Sequence, residues 1–188
     1  MYEKYLFKSG GIIVEFHDVV KHRREVTSFI NKPIPNEVLD DMLETAWLAP
    51  TGNNLLSREF IVIRKQNMLE HLSETTPFMP WLTEAAVAIV VTGRPEVSKY
   101  WLQDASIASG YIGLAAVNAG LGCAFGAVYH STDQMESKKR ESHVRDALTI
   151  PDDRKIVAIL GLGYENKKPS AKTMPKKSEV IHFDTFNS

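Results

Sequence analysis

The stretch Ala49-Pro50-Thr51-Gly52-Asn53-Asn54 gathers side chains that can act on a bound molecule. Each asparagine amide offers both a donor and an acceptor. A flat, mostly apolar ring suits an apolar slot with a few placed amides and backbone donors, which a loop of this kind can supply. Upstream stands Arg23-Arg24, and guanidinium groups are good phosphate donors. Downstream the chain turns basic at Lys167, Lys168, Lys172, Lys176 and Lys177. Each feature also has a plain structural explanation. Gly-Asn-Asn is good turn chemistry, and paired charges commonly mark a solvated helix end. What favours ligand binding is the combination of a polar loop with basic clusters on either side of it in the chain.

The elements that must position these residues follow from hydrophobic spacing. Residues 1–16 form an arm with no clear pattern, and His17 to Arg24 fits a short helix. Phe29 to Pro35 reads as extended, because Pro33 and Pro35 disfavour helix before them. Asn36 then has the character of a helix N-cap, and Val38, Leu39, Met42, Leu43, Ala46 and Trp47 repeat at helical spacing. Pro50 stops that helix, so it delivers the chain into the polar loop. Glu59 to Arg64 is a β-rich run, Gln66 to Ser73 a short helix, and Phe78 to Trp81, bracketed by prolines, a lid or entrance segment. Ala85 to Thr92 reads as a buried strand. Tyr100 to Ala119 is a helix dense in small residues, apolar on several sides and so suited to close approach by another backbone or subunit; Gly120 ends it. Cys123 to Val128 is a strand. Ser131 and Gln134 have capping-box spacing for a helix to Leu148, whose polar middle must partly face solvent. Lys155 to Leu162 is the last strand. Helices and strands mix without strict alternation, which predicts an α+β fold with helices packed on one sheet.

Composition narrows the function. The chain has 188 residues, 44% hydrophobic and 24% charged, with a formal net charge of -1. That supports one domain over residues 1–188, with the 1–16 arm and a basic extension from 166 to 188. It gives no case for nucleic-acid or anionic-membrane binding. The longest apolar run, Ala85 to Val91, is too short to span a bilayer. One cysteine, Cys123, fits a reducing compartment, and no signal peptide is evident, so the cytoplasm is the expected location. The histidines show no metal-ligand spacing, and no metal site is expected. Gly120-Leu-Gly-Cys-Ala-Phe-Gly126 resembles a dinucleotide fingerprint, but its last glycine is one position late and it follows a helix rather than a strand. Cys123 has no neighbouring histidine in sequence and reads as a small core residue.

Several motifs in one order resemble a known family. They are Arg23-Arg24-x-Val26-x-x-Phe29, Pro33-x-Pro35-x-x-Val38-Leu39, and Ala49-Pro50-Thr51-Gly52-Asn53-Asn54 followed by Glu59-Phe60. Asp104 with Leu114-Ala115-Ala116, Gly120-Leu121-Gly122, Leu148-x-Ile150-Pro151 and Leu160-Gly161-Leu162-Gly163-Tyr164 continue the series. Together they are similar to the FMN-dependent nitroreductase family over about His17 to His182.

The resemblance implies a central, mostly antiparallel sheet flanked by helices, in an intertwined homodimer with FMN between subunits. It implies an NAD(P)H oxidoreductase that reduces nitroaromatics, quinones or similar electron-poor small molecules by ping-pong hydride transfer through flavin N5, with NADPH or NADH as donor. The protein supplies position and electrostatics and the cofactor the hard chemistry, so no side chain is expected as an obligatory acid or base. Residue by residue, it assigns Arg23 and Arg24 to the FMN phosphate and ribityl chain. Pro50, Thr51 and Asn54 run along the ring, Ala124 and Gly126 bring strand backbone near it, and Lys172 and Lys176 reach the phosphate. Glu25 and Thr27 occupy cofactor-binding positions where the family usually has serine and a polar or basic residue. Leu56-Ser57-Arg58 also departs from the family's usual Gln-Pro-Trp. These departures motivate an alternative, an FMN-binding protein with little turnover.

Overall fold

The computed structural model describes residues 15–167 and 169–186. Residues 1–14 of the expected arm, Lys168 in the basic tail and the last two residues lie outside the described residues. The elements are α1 (Phe16–His22), β1 (Phe29–Ile30), α2 (Asn36–Trp47), β2 (Arg58–Ile63), α3 (Gln66–Ser73), β3 (Val87–Gly93), α4 (Trp101–Asn118), β4 (Gly122–Ala127), α5 (Gln134–Leu148) and β5 (Lys155–Glu165). Short 3-10 turns at Gly52–Asn54, Pro80–Glu84 and Lys177–Glu179 complete them.

The long strand β5 is the spine of a five-stranded sheet. β3 pairs along one edge of it, from Val87 opposite Leu162 to Gly93 opposite Lys155, and β2 lies beyond β3. β4 takes the other edge, Gly122 opposite Gly163 to Ala127 opposite Ala158, and β1 continues that edge at Tyr164 and Glu165. All four strand pairings are antiparallel, and a lone parallel bridge joins Glu25 to Cys123. The expected α+β architecture is therefore observed, with helices on both faces of the sheet. Because side chains alternate along a strand, β3 sends Val87, Ile89 and Val91 towards α2 and α4, and Ala88 and Val90 to the opposite face. That opposite core holds Leu69 and Leu72 of α3, Val144 of α5, and Trp81 and Leu82. Burial on both faces accounts for the unbroken apolar run of β3.

Local details differ from the sequence reading in four places. Asn36 is the first helical residue rather than the cap; its side-chain oxygen accepts from Arg64 Nη1 at 2.6 Å and ties α2 to the end of β2. The cap of α5 is Asp133, which accepts from the Glu136 N–H at 2.9 Å, instead of Ser131. Only Phe29–Ile30 of the extended 29–35 stretch joins the sheet, since a proline has no N–H for a ladder. Phe78 to Trp81 is open only in part: Phe78 is 78% exposed and remains available at an entrance, whereas Trp81 is not. Trp81 is buried over Gly161, where an added Cβ would sit 2.4 Å from the indole, and its Nε1–H donates to Phe78 O at 2.9 Å. Gly120, with φ of +72°, closes α4 as expected.

Candidate functional site

The polar loop leaves α2 at Leu48 and is held from three sides. Arg58 Nη2 donates to Ala46 O at 3.2 Å, to Trp47 O at 3.1 Å and to Ala49 O. A guanidinium there satisfies the free carbonyls and opposes the negative end of the helix dipole. Asp104, buried near the start of α4, accepts from the Gly52 N–H at 2.9 Å and from Ser57 Oγ at 2.5 Å. Burial lowers the Arg58 pKa, and the charge of Asp104 works in the opposite direction. Ser57-Arg58, where the chain leaves the family pattern, is thus the brace under the loop. Tyr100 lies across Gly52, where a Cβ would come within 2.5 Å of its ring. Held in this way, Asn53 and Asn54 both adopt left-handed backbone, φ 56° and 54°, which asparagine tolerates. Both stay exposed. Beside the loop is a cavity of about 310 Å³ lined by Pro50, Thr51, Asn54, Leu56 and Trp47.

A second cavity, about 330 Å³, opens where the segment after α1 meets α4 and β4. The Val26 N–H donates to Cys123 O at 3.1 Å, which lays residues 25–26 along the outer edge of β4. Gly122 permits that approach, since a Cβ would stand 2.6 Å from Val26 Cγ1. Arg23, Arg24 and Glu25 thereby reach the cavity, opposite Ser106, Ser109, Gly110 and Gly113 of α4. A Cβ on Gly110 would meet nothing within 4 Å, so this wall is open. Arg24 Nη1 donates to Lys21 O at 2.8 Å and Arg23 O at 2.7 Å, while its buried Nε has no partner among the described residues. Glu25 Oε1 accepts from the Phe125 N–H at 2.5 Å.

Cys123 lies in the same wall. Burial pushes its thiol up to about 12, the Glu25 charge adds to this, and Arg23 opposes it. The thiol is therefore neutral in the native protein, and it belongs to packing rather than nucleophilic chemistry. At pH 8 native protein should resist iodoacetamide, whereas urea-unfolded protein should alkylate readily; equal rates would contradict this assignment. The sign of the linkage is also defined. A folded pKa raised above the unfolded value stabilises below about pH 9, and that contribution fades as pH rises towards 12.

The expected residues thus fall into two groups. Arg23, Arg24 and Glu25 share one cavity, Pro50, Thr51 and Asn54 the other, and the two have no lining residue in common. Thr27, Lys172 and Lys176 are exposed and line neither. The expectation for β4 concerned the backbone at Ala124 and Gly126, and neither residue lines either cavity. Cys123 and Phe125 line the cavity. Ala124 packs in the core on the other face, and Gly126 lies against Met79, whose sulfur would be 2.0 Å from an added Cβ. The small residues of α4 that open the cavity wall were visible as composition, but not their destination. The Asp104–Ser57 brace joins residues 47 apart and has no local signal. Among the described residues no group of three or more metal-ligating side chains occurs, and no helix is long and apolar enough to cross a membrane.

Comparison with known proteins adds to this geometry. Residues 20–79 match the family model described as "Nitroreductase family". A protein of Methanothermobacter thermautotrophicus named "Putative NADH dehydrogenase/NAD(P)H nitroreductase" is 31% identical over 160 residues, 84% of this chain and 81% of its own. A structure of the same description from Bacteroides thetaiotaomicron superimposes with a TM-score of 0.83 at 29% identity, covering 91% of this chain and 98% of that one. An FMN-dependent nitroreductase from Clostridium difficile gives a TM-score of 0.82 at 29% identity, covering 89% and 98%. Fold, motif order and identity over most of both chains agree, and this chain belongs to the nitroreductase family.

Proposed function

We propose that this protein is an FMN-dependent NAD(P)H oxidoreductase that reduces electron-poor small molecules such as nitroaromatics or quinones. The observation that carries the reading is the cavity between the arginine pair and α4. Its wall at Gly110 is open where a side chain would fill it, and the guanidinium-bearing Arg23 and Arg24 both line it. Both features suit a flat cofactor with an anionic tail. Bound FMN would supply a ring that accepts hydride from a nicotinamide and releases electrons to an acceptor.

The chain's own residues bind and orient. Arg23 and Arg24 hold the phosphate end by charge. Gly110 and Gly113 leave room for the ring, and Phe125 gives it an apolar border. Asn54 offers an amide to the ring edge, from a loop kept in place by Asp104. Donor and acceptor take turns in one open slot, so initial-rate plots should show the parallel lines of ping-pong kinetics.

Two copies are needed for this arrangement. In one chain the loop and the arginine cavity are separate. Along α4, Ile107 and Tyr111 are 42% and 38% exposed, and a groove of about 590 Å³ runs between α1, α2 and α4 beside the largely exposed Phe16. Apolar surface of this kind is typically covered by a partner. We therefore place the loop of one copy against the arginine cavity of the other. Anaerobic titration of purified protein tests the activity: the visible flavin band should bleach with NADPH or NADH and return when a quinone is added. A yellow protein that neither nucleotide bleaches would instead be a flavin-binding module.

A further inference from the structure

Glu25 is the one carboxylate among the side chains that line the arginine cavity. Its chain neighbours Arg23 and Arg24 face the same space, yet no ion pair joins it to either among the described residues. It is fixed instead by the Phe125 N–H at 2.5 Å, and its backbone is pinned by the bridge to Cys123. A carboxylate held by backbone on one side cannot swing to neutralise an arginine without giving up that bond. Its charge is felt across the cavity wall, where it helps keep the Cys123 thiol protonated. The next side chains along the segment add no cation: Val26 is buried and Thr27 is exposed and uncharged.

We propose that Glu25 is a specificity-determining residue of this cavity, which narrows the protein's preference for FMN over riboflavin. The inference rests on the flavin reading above. One carboxylate cancels one guanidinium in the field that an entering phosphate meets, and it repels the phosphate directly. Interactions between partly exposed charges at such range amount to about 1 kcal/mol, enough to shift affinity several-fold. The ring is uncharged and gains or loses nothing by this term. FMN and riboflavin are therefore bound with closer affinities than an arginine pair alone would give.

Glu25→Gln isolates the effect, because the amide oxygen still accepts from Phe125 N–H while the charge is gone. With full-length apoprotein titrated by each flavin, FMN should bind about fivefold more tightly to Glu25→Gln than to the parent, and riboflavin within about twofold of it. Glu25→Ser, which removes the charge with a different shape, should also favour FMN over riboflavin. In about 1 M salt the gain should largely disappear, because the Debye length falls to about 3 Å. Unchanged FMN affinity, an equal change for both flavins, or a gain that persists undiminished in high salt would overturn the proposal. Apoprotein that binds neither flavin would overturn this inference and the cofactor reading together. An Arg23→Ala variant that weakens FMN selectively, beside a Glu25→Gln variant with no gain, would overturn this inference and leave the cofactor reading standing.

Discussion

Arg23→Ala should weaken FMN binding by roughly thirtyfold, about 2 kcal/mol, while riboflavin binding changes little. The arginine is exposed and lines the cavity between α1 and α4. It forms no ion pair among the described residues, so the substitution leaves no buried partner behind. Its effect should then appear in ligand binding rather than in folding. Charge-assisted hydrogen bonds are worth about twice neutral ones, and only FMN has the charge to lose. Fluorescence titration of the apoprotein with both flavins makes the measurement. Equal losses for the two would show that Arg23 supports the fold of the cavity instead of gripping a phosphate.

Asp104→Ala should lower unfolding stability by about 3 kcal/mol. Asp104 is 3% exposed, and Ser57 is fully buried beside it. Removing the carboxylate strands the Gly52 N–H and the Ser57 hydroxyl, and each buried donor without an acceptor costs about 1–3 kcal/mol. It also removes the counter-charge of Arg58 beneath the end of α2. Because the three groups act as a unit, Asp104→Ala combined with Ser57→Ala should cost less than the two single losses added. Urea unfolding of the four proteins gives the cycle. A loss below about 1 kcal/mol for Asp104→Ala, or strict additivity, would mean that the brace is not what holds the loop.

The same loop shows how far the sequence could be read. α2, β2 and α3 lie within a residue of where the sequence predicts them: α2 carries its own periodic apolar pattern and ends before Pro50, and β2 is a continuous β-rich run. Helix caps were less legible. Asn36 and Ser131 have capping chemistry, but Arg64 takes the first side chain and Asp133 supplies the second cap. Local propensity cannot see such competitors. Which face of β4 meets the cavity was not legible for a related reason. Apart from Phe125, Gly122 to Ala127 carries only small residues on both faces, and Val26 packing on Gly122 and Met79 packing on Gly126 take up one of them. Trp81, grouped with Phe78 as a lid or entrance segment, packs in the core instead, where the glycine at 161 leaves room for it. The site's charged groups were identified from the order of motifs along the chain. That the arginine pair and the loop line two cavities rather than one is a long-range fact, carried by contacts such as Gly52 to Asp104 and Glu25 to Phe125.

The central claim is that one flavin site takes its arginines from one copy and its loop from another. Subunit complementation between Arg23→Ala and Asn54→Ala tests it directly. Each variant alone has a defect in every site and should bind FMN weakly. In a purified mixed dimer carrying one tagged copy of each, the arginine of one chain and the loop of the other remain intact together in a single site. The account predicts one FMN per mixed dimer at the parent's affinity. If the arginines and loop of the same chain form the site, every site in the mixed dimer keeps a defect, and the absence of any tight FMN binding would contradict the account.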